Sequence, residues 1–225
     1  LFPISSAGAQ YARGVSFART ERAQLCDLLD ELGPTAPTLC RGWTTSHLAA
    51  HLWLRETDPL AMPGIVVKPL AGLTERRMAS AQEKLGYQTL VSRVRSGPGR
   101  ISVFALPGLD EAANAIEYFV HHEDVRRAGE GWQPRELPDA DEDACWKRVG
   151  LMGRAMFLRS PVPVVAQRAG TIDRVTLKAG EDPVVLIGKP SELVLFLFGR
   201  RSVAQVEITG SQDSVAQLEG FTTAL

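Results

Sequence analysis

Histidine is scarce in this chain. There are four in 225 residues, and all fall in two stretches, HLAAHLWLRE from His47 to Glu56 and EYFVHHEDVRR from Glu117 to Arg127. Cysteine is scarce too: Cys26, Cys40 and Cys145 form an odd, widely spaced set without a CxxC pair. That excludes a disulfide framework and suits the reduced thiols of a cytoplasmic protein. No run of about eighteen apolar residues occurs, so no membrane-spanning helix is expected. The apolar LVLFLF is far too short. Neither charge sign dominates: the net charge is −1 and no long Lys/Arg run appears, which argues against nucleic acid or an anionic membrane as a partner. Glycine-rich phosphate loops, a GxSxG elbow and a dinucleotide fingerprint are all missing. The opening LFPISSAGAQYARGVSF lacks the basic start and long apolar centre of a secretory signal; residues 1–17 are expected to be a poorly ordered leader.

What is present is enough for a packed core, with 44% hydrophobic and 23% charged residues. The first two thirds carry helical periodicity. Leu25, Leu28, Leu29 and Leu32 fall at i, i+3, i+4 and i+7 before Gly33-Pro34. A second helix follows Thr44, a candidate N-cap, and stops at Pro59. A third, LTERRMASAQEKLGYQTLVSRVRS, is expected to bend or break near Gly86. A fourth enters through Asp110 and closes at Arg126, Arg127 and Gly129. A fifth runs from DADEDACW to Pro161. Beyond it the rhythm changes to short β-prone runs, VPVVAQR, IDRVTLK and DPVVLIG. A buried helix capped by Ser191 and stopped by Gly199, a strand in VAQVEITG and a helix in SQDSVAQLEG complete the chain. The fold class is therefore α+β: a helical bundle over residues 18–160 and a small α+β domain over 161–225.

On the second helix His51 falls between Leu48 and Leu54, so it points inward. Glu117 and His121 are four apart and share one face, beside Ala113, Ile116 and Val120. A buried Glu and His are costly unless something satisfies them. One solution is a divalent metal held by His51, Glu117 and His121, with a position left open for water or substrate. The other is a plain hydrogen-bonded Glu–His pair, with His51 capping a carbonyl. His47, in the first turn after Thr44, is either a fourth ligand, an outer donor or a surface residue. His122 points away and reads as a packing or hydrogen-bonding residue. Asp124, three after His121, is placed to orient a ligand imidazole or to meet Arg127.

LCRGWTTSHLAAHL and EYFVHHEDVRRA resemble the two motifs of the mycothiol-dependent maleylpyruvate isomerase N-terminal family, within the DinB-like four-helix-bundle superfamily. The likeness spans residues 18–225 and is greatest to a metal-binding subfamily of unknown reaction. It implies His51, Glu117 and His121 as the metal ligands. Family members commonly carry an acidic residue where this chain has His47. ELVLFLFGRR followed by VEITG is similar to the small sterol-carrier-protein-like domain at the C-terminus of these isomerases, where an arginine is implicated in catalysis. Arg200 is the first candidate for that role, with Arg201 the alternative; a cation that only satisfies the end of its helix is the plainer reading of either.

Together these imply a metal-dependent isomerase or transferase that uses a low-molecular-weight thiol, mycothiol by resemblance, on a small substrate. Zinc suits the ligands first; nickel and iron are compatible. The alternative is a non-catalytic metal-containing module for a small hydrophobic ligand, and a third reading makes Glu117–His121 a structural ion pair. A monomer or homodimer is expected. Cys40 reads as buried and inert, Trp43 as a packing staple, and Trp53 and Trp146 as core.

Overall fold

The computed structural model describes residues 16–58, 71–97 and 109–221; residues 1–15 of the expected leader and Pro59 lie outside them, while Phe17 already opens the first helix. Helix α1 spans Phe17–Leu32, α2 Thr45–Thr57, α3 Ala71–Leu85, α4 Tyr87–Ser96, α5 Leu109–Arg126 and α6 Asp139–Met156. Strands β1 Val164–Arg168, β2 Arg174–Lys178 and β3 Val184–Gly188 follow, then α7 Pro190–Leu197, β4 Val206–Thr209 and α8 Gln212–Gly220. Among the described residues the fold is thus α+β, with eight helices and one four-stranded sheet.

Local sequence explains most boundaries. α1 ends at Gly33, whose φ of 73° places it in the left-handed region and whose N–H bonds Leu29 O at 3.0 Å. Leu25, Cys26 and Leu29 are buried as the periodicity requires, but Leu32, at the last turn, runs past the core and is exposed. Gly86, with φ 72°, separates α3 from α4, the break expected there. α6 stops at Met156, earlier than Pro161, and Phe157 closes it. Ser191 is not the cap of α7: Lys189 is the N-cap and Pro190 takes the first helical position, where its missing N–H costs nothing. Ser191 instead gives its Oγ to Glu142 Oε1 at 2.8 Å, tying α7 to the start of α6.

The sheet order is β2-β1-β3-β4, with β1 and β3 parallel and the outer pairs antiparallel. Alternate residues Val164 and Ala166 of β1, and Val184 and Leu186 of β3, are buried. α6 packs against α7 and β2, and α7 against β3 and β4. Gly153 marks how closely α6 approaches: a Cβ there would meet Leu177 Cδ2 at 2.8 Å.

Two apolar clusters result. One gathers Leu25, Leu29, Leu48, Leu52, Met78, Leu90 and Tyr118 from the first five helices. The other joins Phe17, Ile116 and Phe119 to α6, the sheet and α7, so residues from both sides of position 161 share it. α1 and α5, packed on each other, contribute to both. Trp53 and Trp146 are half-buried at the margins of these clusters rather than inside them. α5 carries Glu117, His121 and Asp124, whose side chains meet His51 of α2, Cys40 in the loop before it and Arg200 in the turn after α7.

Candidate metal centre

α2 begins with a capping box. The Thr44 N–H donates to His47 Nδ1 at 3.2 Å, and the Thr44 hydroxyl lies 3.0 Å from the same nitrogen. His47 thereby takes the place a Glu or Gln holds in such boxes. It is a cap, and it stands apart from the groups that converge on a common point.

One turn on, His51 is buried, its ring 5.2 Å from that of Trp43. From α5, Glu117 places Oε1 3.2 Å from Nε2 of His51 and 3.2 Å from Nε2 of His121. The two imidazole rings meet edge to face at 5.1 Å. Burial lowers the pKa of His51 more than Glu117 raises it. Burial alone would raise Glu117, yet its contacts with His121 and His51 outweigh that and hold the carboxyl well below the usual range. His121 behaves oppositely: burial works against its charge, but hydrogen bonds with Asp124, Cys40 and Glu117 hold its pKa well above the ordinary value.

Asp124 is the hub on the far side of His121. Its Oδ2 lies 2.8 Å from His121 Nδ1, and the carboxylate is wholly buried. Arg200, in the turn after α7, donates Nε to Oδ1 at 2.7 Å and Nη2 to Oδ2 at 2.6 Å, a bidentate pair. The half-buried Cys40 thiol donates to Oδ2 at 3.2 Å and accepts from Arg200 Nη2 at 3.5 Å. The loop holding Cys40 is tied to the end of α5 by Leu39 N–H on Asp124 O at 3.0 Å. Beside this hub a polar cavity of about 310 Å³ opens between Leu39, Cys40, Arg41, Gly199, Arg200 and Ser202.

Two sets of three possible ligand atoms lie within 4.8 Å of one another among the described residues: His51, Glu117 and His121, and Cys40, His121 and Asp124. The first set fits a divalent ion. Ligands about 2.0–2.1 Å from a tetrahedral zinc stand roughly 3.3 Å apart, and the two separations from Glu117 Oε1 are 3.2 Å. Asp124 supplies what a ligand imidazole needs on its other nitrogen. One contact opposes it: Arg55 Nε lies 3.5 Å from the same Glu117 oxygen, so a cation there must share or displace that contact.

The structure therefore brings His51, Glu117 and His121 together and sets Arg200 and Asp124 beside them. Arg201 turns the other way, into the C-terminal half. His122 Nδ1 donates to Glu21 Oε2, 2.9 Å away, in a separate buried group with Arg135. Sequence reasoning missed Cys40. It sits 84 residues from Asp124, and no local pattern marks that approach.

No family model matches the sequence, and no curated protein does. Among solved structures, the chain is similar to mycothiol-dependent maleylpyruvate isomerase, with a TM-score of 0.56 and 15% identity over 87% of this chain and 90% of that one. A histidine-to-alanine mutant of that enzyme gives a TM-score of 0.57 over the same shares, also at 15% identity. At that identity the likeness is one of fold, a distant relationship. No helix among the described residues is long and apolar enough to cross a membrane.

Proposed function

We propose that this chain holds a divalent metal through His51, Glu117 and His121 and uses it in a thiol-dependent reaction of the maleylpyruvate isomerase or thiol-transferase type. The observation that carries the reading is the convergence of two imidazole nitrogens on one carboxylate oxygen at 3.2 Å each. The fold likeness to a mycothiol-dependent isomerase supports mycothiol, or a thiol like it, as the co-substrate. On this reading residues 18–160 form a DinB-like four-helix bundle and 161–225 a sterol-carrier-protein-like domain. Zinc suits two imidazoles and a carboxylate first, with nickel and iron compatible.

A divalent ion bound there favours a coordinating thiol as its thiolate. The chain's own residues do the rest. Asp124 accepts from His121 Nδ1 and so leaves Nε2 free to face Glu117 and His51. Trp43 packs against the His51 ring, which also meets His121. Arg200, held flat by both Asp124 oxygens, and Arg41 place positive charge on the wall of the polar cavity, where a small substrate's carboxylate finds a partner.

The test is metal content. Untagged protein purified without chelator should carry about one equivalent of a first-row divalent metal by plasma mass spectrometry, lost in Glu117→Ala. No uptake after reloading with zinc, nickel, manganese and iron under reducing conditions would refute it.

A further inference from the structure

Arg201 stands apart from the other arginines that the structure shields from water. Arg22, Arg127, Arg135 and Arg200 each meet a carboxylate at 2.5–2.8 Å. Arg201 meets none among the described residues. Its Nη1 donates to Leu218 O at 2.9 Å, and its guanidinium lies over the Phe196 ring, 4.8 Å from the centroid. Its Nη2 is shut off from solvent without any hydrogen-bond partner. Burial lowers its pKa.

This cation lines a cavity of about 320 Å³ whose other walls are Phe196, Val206, Ile208 and Leu218, with Ser202 and Glu219 exposed at the rim. Val206 and Ile208 lie two apart on β4 and so present one apolar face. An apolar pocket with one convergent polar group is the usual form of a small-ligand site, and this one is at the small end of the range.

We propose that this cavity binds a small amphipathic monocarboxylate, its apolar body on Phe196, Val206, Ile208 and Leu218 and its head on Arg201. A modest turn of the guanidinium brings Nη2 to the carboxylate and gives it the partner it lacks. Glu219 at the rim selects a singly charged head over a doubly charged one. The site adjoins the polar cavity beside Arg200, with Ser202 bordering both, but none of its other walls belongs to the metal centre.

The experiment is isothermal titration of the full chain with octanoate, octanol, acetate and octyl phosphate. Octanoate should bind at sub-millimolar concentration, and each of the other three at least tenfold more weakly. Arg201→Gln should weaken octanoate at least tenfold. Glu219→Trp, a change at an exposed rim position that borders this cavity and not the polar one, should abolish binding with unchanged circular dichroism. No octanoate binding, equal binding by octanol, tighter binding of octyl phosphate, or full affinity in either variant would overturn the proposal.

Discussion

Asp124→Asn is the most informative change at the proposed centre. The carboxylate now accepts from four directions: His121 Nδ1, two nitrogens of Arg200, and the Cys40 thiol. An amide of the same shape keeps one acceptor. Its oxygen stays with one Arg200 donor, and its NH2 then faces His121 Nδ1. The imidazole must change tautomer to accept there, which puts a proton on Nε2, the nitrogen that faces Glu117 and His51. The lone pair needed for a metal is lost at no change in position. Outer hydrogen bonds of this kind are worth about 10–100-fold in metal affinity. Removing one partner of a buried ion pair costs about 3–5 kcal/mol. Arg200 keeps 20% of its side chain in solvent, so the stability loss should be at the low side, about 2–3 kcal/mol. Chelator competition measures the first effect and urea unfolding the second. A folded variant with metal affinity within threefold of the parent would refute the orienting role of Asp124.

Three further outcomes follow from the geometry. His51→Ala should lose the metal while His122→Ala and His47→Ala retain it, measured by metal content; loss in His122→Ala but not in His51→Ala would overturn the ligand assignment. Glu192→Gln should cost about 3–5 kcal/mol in urea unfolding, because Arg127 pairs with both Glu192 oxygens at 2.9 and 2.6 Å inside the molecule. Glu192→Leu with Arg127→Leu should recover much of it, since Glu123 still has Arg126 and Arg135. Glu21 is held down to about 2 although burial alone would raise it, because His122 and Arg135 hydrogen-bond it. Its stabilisation, about 3 kcal/mol, is complete above pH 4.5 and lost as pH falls towards 2; Glu21→Gln should flatten that part of the acid-unfolding curve.

Periodicity made much of this molecule legible. The i, i+4 spacing of Glu117 and His121, and the inward placement of His51, follow from the helix repeat alone, and so does the reach of Asp124 back to His121. Gly33 and Gly86 marked helix boundaries because only glycine takes their backbone conformation cheaply. What was not legible depends on contacts between distant segments. Arg127 looked like a helix-end cation, yet it crosses to Glu192 on α7 and stacks on Trp132. Cys40 looked inert because its partners arrive from 84 and 160 residues away. His47 was ambiguous for another reason: an imidazole can serve the N3 position of a capping box, but carboxylates and amides are the residues that usually signal it.

The hub at Asp124 joins residues 40, 124 and 200, so its partners leave the ribosome far apart in time. At about 5–20 residues per second, Arg200 emerges several seconds after His121. Until then the nascent helices hold an imidazole whose carboxylate neighbour lacks its counter-charge, and loop closure over so long a span comes late in folding. A chain cut short before Arg200 carries every proposed ligand but not the clamp that aims one of them. Full-strength metal capture on this scheme is therefore a property of the finished polypeptide, and loading doubles as a sign that synthesis has run to the turn beyond α7.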